Sequence, residues 1–515
     1  MDTKALRQKI LDLAIRGKLV PQDPNDEPAE VLLERIREQK QQMFKEGKLK
    51  KKDIKNDTII FKGEDNLHYE KFTDGTVKCI EDEIPFDVPK GWAWCRFMSV
   101  TINRDSERKP ISSANRTNVA KIYDYYGASG KIDKIDKFIF NEKLLLIGED
   151  GANLVTRSKP IAFFAEGQYW VNNHAHCIDS TDKLILEYLC LYINAISLEK
   201  YVTGSAQPKM TQDNMNSIFI ALPPYEEQKR LEFQVNHILK TVSTIENEKE
   251  DIVNYIVSAK SKILDLAIRG KLVAQDPDDE PASVLLERIR AEKEELINQG
   301  KIKRDKKESF IFRGDDNSYY ERVGDIISNI DDEIPFELPQ NWEWSRLQTI
   351  CYPITDGTHK TPTYSDSGYI FLSAKNITTG KINWNDIMYI PKSLHDELYS
   401  RVSPKMNDIL LAKNGTTGVA AIVDRECEFD IYVTLALLRV VNNNISSQYL
   451  LKIIASDTIQ DYFKSSLKGI GVPNLHLEHI RTTLIPIPPI NEQNKIAERI
   501  YQYYSLLDSI VQNIE

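Results

Sequence analysis

From Leu231 onward the apolar positions keep alternating steps of four and three: Leu231, Val235, Ile238, Val242, Ile245, Ile252, Ile256, Ala259, Ile263 and Leu266, with Lys249 the one break. This is a heptad seam, and it predicts a long coiled-coil helix. Pro223 and Pro224 bar an earlier start. Gly270, with Arg269 in the last turn, marks the stop. About 44 residues at ~1.5 Å each make a rod of about 65 Å. The same seam reappears at the C-terminus as Ile496, Ile500, Tyr503, Leu507, Ile510 and Ile514, and at the N-terminus as Leu6, Ile10 and Leu13.

The seam belongs to a duplication. Ile10–Lys40 aligns without a gap to Ile263–Lys293, and 26 of the 31 positions are identical. Pro21/Ala274, Asn25/Asp278, Glu30/Ser283, Glu38/Ala291 and Gln39/Glu292 are the differences. Chance does not produce that, so the chain carries an internal repeat. Weaker matches follow: "IIFKGEDNLHYEKF" with "FIFRGDDNSYYERV", "DEIPFDVPKGWAWCRF" with "DEIPFELPQNWEWSRL", and "LPPYEEQKRL" with "IPPINEQNKI". The offset grows from 250 to 265 between the last two pairs, so the second copy holds a middle section 15 residues longer. The two middles share little sequence. A constant frame therefore alternates with variable inserts. In the repeat, Glu515 matches position 250 and Met1 matches position 254. The two ends are thus expected to rebuild a second rod beside the continuous one, in a cyclic, pseudo-two-fold molecule. Antiparallel packing of the rods would bring the termini together and place the inserts at opposite ends.

Each insert opens on a tryptophan pair, Trp92/Trp94 or Trp342/Trp344, and closes on Pro-Pro. Between them lie short strand-forming runs such as "FIFNEKLLLIGEDG", "IAFFAEGQYWVNNHAHCI" and "DILLAKNGTTGVAAIV", broken by Gly, Asn and Asp. A helix follows in each, "LILEYLCLYINAI" and "QYLLKIIASDTIQDYF". The expected fold class is α+β: two mixed inserts separated by long antiparallel coiled-coil helices.

At 515 residues the chain needs several domains. No run of 18 apolar residues spans a membrane, the charged N-terminus is no secretory signal, and six scattered cysteines without CxxC spacing suit a reduced cytoplasmic protein. The net charge of −10 argues against a free-standing nucleic-acid binder. The inserts are near neutral, with 16 Lys+Arg against 15 Asp+Glu in 86–222, and 14 against 15 in 336–487. If DNA is the ligand, either the cations cluster or a partner supplies most phosphate contacts.

Catalytic motifs fail on inspection. In "LPPY", Leu222 and its counterpart Ile487 cannot hold an exocyclic amine as the first residue of an amino-methyltransferase motif does, and no glycine-rich S-adenosylmethionine loop appears. "GASGK" lacks phosphate-loop spacing. In "NNHAHC", His174 and His176 would share a strand face with Cys177 pointing away, so no metal site is expected.

The constant frame, the "WxWxRL" opening, the "GEDG"/"AKNG" turns and the "PPxxEQ" close resemble the DNA-specificity subunit of a type I restriction–modification enzyme, over nearly the whole chain. The resemblance implies two target-recognition domains, each reading one half of a split, asymmetric DNA site. It also implies frame helices that set the spacing and dock two methyltransferase subunits, with restriction/translocase subunits able to join. The chain itself would be non-catalytic within an adenine methyltransferase and ATP-dependent deoxyribonuclease complex. S-adenosylmethionine, ATP and Mg would sit on the partners. The implied domains are an N-terminal frame and charged arm at 1–81, a recognition domain at 82–224, a central frame and arm at 225–331, a second recognition domain at 332–489 and a C-terminal helix at 490–515. The arms ("KEGKLKKKDIKND", "NQGKIKRDKKES") read as solvated helix and loop, with partner docking the alternative. Base edges and phosphates suit Arg, Lys, Asn and Gln in loops. The candidates are Arg104, Arg108, Lys109, Asn153, Ser205, Gln207 and Lys209 in the first insert. In the second they are Thr358, His359, Lys360, Lys375, Asn376, Asn414, Thr416, Lys468 and Asn474. The rival reading is a coiled-coil scaffold whose inserts bind proteins.

Overall fold

The computed structural model describes residues 2–55, 57–204, 207–304, 308–441, 444–467 and 473–514. It packs as two compact units, one ending at Glu248 and one beginning at Lys249. The heptad seam forms one helix, Tyr225–Ile268, whose 44 residues begin directly after Pro223-Pro224.

In the first unit, helix Thr3–Ile15 is capped by the Asp2 carboxylate, which accepts from Ala5 N at 2.9 Å. It runs antiparallel to the start of the long helix. Arg7 pairs with Ser243 (2.7 Å) and Glu246 (2.6 Å), while Gln22 and Asp26 farther along reach back to Glu227 and Arg230. In the second unit, helix Ile490–Ile514 runs antiparallel to the end of the long helix and the segment beyond it. Asn491 donates to Asp279 at 2.8 Å, whereas Asp508 meets Lys260 and Tyr504 Oη donates to the Lys260 carbonyl at 3.0 Å.

The repeated "RGKL" stretch has a steric reason. Gly17 and Gly270 both lie in the left-handed region, at φ +63° and +65°, where each ends its helix. A Cβ on either would lie 2.4 Å from the Cγ of Pro89 or Pro339, at the foot of the corresponding insert. Only glycine both turns the chain and lets the insert sit that close.

Each insert is tied at a neck. Ala93–Arg96 pairs antiparallel with Phe219–Leu222, and Glu343–Arg346 with Leu484–Ile487, so the two ends of each insert form one ribbon. Trp92 Nε1 donates to the Glu227 carboxylate at 2.9 Å, and Trp342 Nε1 to Glu492 at 2.9 Å. The glutamines that follow, Gln228 and Gln493, donate back to Pro223 O and Pro488 O, each at 2.9 Å. All four of these acceptor and donor side chains are buried. The "W…PPxxEQ" signature is therefore a hydrogen-bonded clasp.

The arms are more ordered than their charge suggests. Each is a helix (Ala29–Lys45, Ala282–Asn298) followed by a three-stranded antiparallel sheet in sequential order. Its strands are Ile59–Lys62, His68–Lys71 and Val77–Cys79 in the first copy, and Ser309–Arg313, Tyr319–Val323 and Ile326–Asn329 in the second. The sheet is pinned to the neck by a bidentate pair: Arg96 on Glu70, and Arg346 on Glu321, with N···O distances of 3.0 and 2.7 Å in both copies. A buried lysine adds a second tie. Lys40 reaches Asp57 and the Met98 carbonyl, and Lys293 reaches Glu308 and the Gln348 carbonyl. The expectation of a solvated helix and loop is corrected accordingly. Alternating aromatics such as Phe61/Tyr69 and Phe312/Tyr320 stack on the outer face, and the many lysines around them hide the strand pattern.

The inserts share one topology despite unlike sequences. The first has a four-stranded sheet ordered Ala162–Ala165, Leu144–Gly148, Ala175–Asp179, Ile102–Asn103. The second repeats it as Ala420–Ile422, Ile409–Ala412, Leu435–Val440, Cys351–Asp356. A second sheet in each contains one parallel pair, Tyr123–Gly127 with Gln168–Val171 and Tyr369–Leu372 with Phe429–Ile431. A helix, Lys392–Arg401, occupies the longer connection of the second insert. The run "QYLLKIIASDTIQDYF" forms two helices rather than one, Ser447–Ile454 and Asp457–Ser465. Ser456 between them is extended and donates its hydroxyl to Ile453 O at 2.6 Å, ending the first helix.

The seam, broken in sequence only at Lys249, is uneven in burial. Leu231, Val235, Val242, Ile256, Ile496 and Ile500 are buried, and Ile238, Ile245, Ile263 and Leu507 are half-buried. Ile252 and Ile510 are exposed, at 37% and 39%, which corrects their place in a buried seam.

Two outcomes follow. Val235→Asp or Ile256→Asp should cost several kcal/mol in chemical denaturation through a buried unpaired charge, and Ile252→Asp under about 1 kcal/mol. Equal losses for Ile252→Asp would contradict the burial pattern. The second concerns Glu492, whose carboxyl burial raises to about 7, against the pull of the Trp342 indole. Its folded value lies above its unfolded one, so stability is full at low pH and declines as pH rises through about 7. Glu492→Gln keeps an acceptor for Trp342 and should flatten that decline, by roughly 1–3 kcal/mol near pH 8, in thermal melts across pH.

Candidate nucleic-acid interface

The sheet topology brings four loops of each insert to one end. In the first, Gly148 pairs with Ala175, so the turn after one strand meets the approach to the next. The chain leaving Asn103 runs back toward the same end, with Arg104 N bonded to Cys177 O and Cys177 N to the Asp105 carboxylate. Loop 203–210 closes the group through the Asp150–Lys209 bridge and Met210 N to Glu149 O at 2.8 Å. The second insert repeats this. Asn414 bridges Asn474, Leu475 N bonds Lys413 O at 2.9 Å, and Thr358 bridges Tyr432.

Beneath the loops sit buried charges of opposite arrangement. In the first insert Glu149 lies 2.6 Å from Arg108, without hydrogen-bond alignment, and 3.1 Å from Lys209. Burial alone would raise the Asp105 carboxyl, but His176 at 2.6 Å and Arg108 hold it below the usual carboxylate range. His174 pairs separately with Asp150 at 2.8 Å. At the position of Glu149 the second insert has Lys413, buried and 2.6 Å from Asp356. The scaffold is one, and the charge it buries changes sign.

Ten candidates lie in or beside these clusters as solvent-accessible groups: Lys109, Gln207, Lys209, Thr358, His359, Lys360, Lys375, Asn414, Thr416 and Asn474. Lys109 is held through its backbone, with N on Val171 O and its carbonyl accepting Trp170 Nε1 at 2.6 Å. Lys375 joins the group through Ala374 N, which bonds Thr434 Oγ1 at 3.1 Å. His359 is exposed, with Nε2 3.5 Å from Asp356.

Four others are engaged within the fold. Arg104 lies toward the other end of the sheet among Glu107, Glu142 and Asp179, which hold its guanidinium firmly charged against burial. Arg108 is taken up by Asp105, Glu149 and the carbonyls of Asn173 and Ala175. Asn153 bonds Lys159 through both ends of its amide. Asn376 is buried, accepting from Ser373 N at 2.9 Å and donating to Asp386 O at 2.7 Å. Ser205 and Lys468 lie outside the described residues. Sequence reasoning passes over Asp105, Glu149, Asp356 and Lys413, and takes His176 with His174 as a structural or DNA-facing pair. The "GEDG"/"AKNG" turns placed Glu149 and Lys413 at equivalent positions, but burial was not visible there. Among the described residues no cluster of three metal-ligating side chains occurs, and no helix is long and apolar enough to cross a membrane.

Residues 100–256 and 339–515 match the family model of the type I restriction modification DNA specificity domain. The chain is 27% identical to the EcoAI specificity subunit of Escherichia coli, across 96% of this chain and 88% of that one. It is 28% identical to the EcoEI specificity subunit of the same organism, across 99% and 91%. A solved chain of a type I restriction–modification system is similar over 84% of this chain and 94% of its own, at 15% identity and a TM-score of 0.49. The matched segments cover well over half the sequence, and the chain belongs to the type I restriction–modification DNA specificity family.

Proposed function

We propose that this chain is the DNA-reading subunit of a type I restriction–modification complex, and that its inserts read two different blocks of one bipartite, asymmetric site. The observation that carries this is the loop cluster built twice on one sheet topology with different side chains. A common scaffold presents Lys109, Gln207 and Lys209 in one unit, and His359, Lys360, Lys375, Asn414 and Asn474 in the other. Lysines suit guanine edges and phosphates, and Asn and Gln suit adenine. Different side chains on equivalent loops read different bases.

The constant frame serves partners that are the same for both halves. Two methyltransferase subunits dock on it, restriction/translocase subunits join them, and S-adenosylmethionine, ATP and Mg are bound by those partners in the cytoplasm. The chain contributes recognition and spacing and no chemistry. Its net charge of −10 and near-neutral inserts support tight DNA binding only in that assembly.

Replacing residues 92–222 with the insert of a relative should rewrite one block of the methylated site and leave the other block and the spacer unchanged, read by genome-wide adenine methylation in cells carrying the partners. A rewrite of both blocks would show that the inserts do not read independently. Within one insert, Lys109→Ala should weaken binding by the assembled complex and lower its salt slope by about one. Arg104→Ala should lower the insert's stability by about 1–3 kcal/mol with site selectivity unchanged. A scaffold that binds proteins would give no salt-dependent affinity for site-bearing DNA.

A further inference from the structure

We infer that His176 is the positioning residue of the first insert's reading loops, and that it holds them together as an imidazolium. The inference rests on the DNA-reading role above and names what sets the geometry of one half of it. His176 is 1% exposed, on strand Ala175–Asp179, and both of its ring nitrogens face acceptors from other loops. Nε2 lies 3.0 Å from the Met210 carbonyl, which can only accept. Nδ1 lies 2.6 Å from Asp105 Oδ2. Asp105 already accepts from Cys177 N at 2.7 Å and faces Arg108 at 3.3 Å, so it is engaged as a carboxylate.

A neutral imidazole carries one N–H. It would set a lone pair against either the Asp105 carboxylate or the Met210 carbonyl, in a site closed to water. Two donors are required, and only the imidazolium has them. The charged groups around the ring come from three loops of the cluster. Asp105 and Arg108 come from 104–110, Glu149 at 3.8 Å from the turn after Gly148, and Lys209, bound to Glu149, from 203–210. On its own strand the neighbouring Cys177 thiol is kept protonated by burial. The ring therefore ties three loops, and those loops carry Lys109, Gln207 and Lys209.

The second insert closes the same loops differently, with the Lys413 ammonium on Asp356 at 2.6 Å. Among the described residues it holds no buried imidazole in this loop cluster: its His359 is 70% exposed, and its buried His395 pairs with Asp430 on the second sheet at 2.7 Å. The two halves of one protein should then respond differently to pH. With only one ring N–H the link to either Met210 or Asp105 is lost, and the first block is read less well.

The test uses the full chain assembled with its methyltransferase subunits. Binding is measured from about pH 6 to 8.5, the range in which histidine charge changes, to cognate DNA and to DNA altered in one block at a time. Discrimination at the first insert's block should fall about tenfold over that range, one charge-assisted hydrogen bond's worth. Discrimination at the second block should change less than about twofold. His176→Gln should give weak, pH-independent discrimination at the first block only. A flat first-block profile in the wild-type protein, or a pH profile that His176→Gln leaves unchanged, would overturn the assignment. Should the variant not fold, nitrogen NMR of the wild-type imidazole decides: two protonated ring nitrogens at neutral pH support the role, and one overturns it. Absence of discrimination at both blocks at every pH would instead overturn DNA reading itself, and this role with it.

Discussion

A buried carboxylate held by an indole N–H is the constraint on which the fold turns. An insert of well over a hundred residues leaves the frame and returns to it at almost the same point, so its two ends must be fixed against each other. The neck ribbon supplies backbone pairing, and the Trp92–Glu227 and Trp342–Glu492 bonds lock that ribbon to the first turn of the helix that follows. A buried carboxylate without a donor costs several kcal/mol, so the motif is all-or-none: tryptophan and glutamate are kept together or lost together. The Arg96–Glu70 and Arg346–Glu321 pairs extend the lock to the arm sheet. Everything constant in the sequence gathers around this junction.

Beyond the neck, constancy stops at the backbone. The two inserts share strand order, the parallel pair in the second sheet and the converging loops, yet the charge buried beneath those loops is Glu149 in one and Lys413 in the other. A buried charge needs a local partner, so each version brings its own set: Arg108 and Lys209 around Glu149, Asp356 against Lys413. An insert can therefore be exchanged as a whole, because its electrostatics close within it, whereas a single residue inside the cluster cannot be exchanged without its partner.

What the sequence made legible follows the same division. The long helix could be bounded to within two residues because proline and glycine act locally, its end falling at Ile268 so that Arg269 lies just past the last turn, and the duplication could be seen because the frame has little freedom to vary. The arm strands were obscured because their outer face carries stacked aromatics among lysines, a pattern that reads as solvated loop. Within the inserts, residue type identified polar loops but not which side chains were free. Arg104 and Lys109 look alike in "NRDSERKP", yet Arg104 meets three carboxylates and Lys109 is exposed. Asn376 and Asn414 stand in similar turns, and one is buried as a cap while the other lies at the cluster. Those distinctions depend on partners distant in sequence: Glu142 and Asp179 for Arg104, Asp386 for Asn376.

The same internal pairing explains an acidic protein with a DNA-reading role. Of the cations near the first cluster, Arg108 is neutralised by Asp105 and Glu149, and Lys209 leans on Glu149. Few unpaired charges remain to displace counterions from phosphates, and counterion displacement supplies most non-specific affinity. Cations spent on positioning loops serve discrimination more than attraction. A subunit built this way selects among sequences presented to it and leaves the holding of DNA to others. That arrangement suits a chain whose frame is conserved between its own two halves while its inserts are free to diverge.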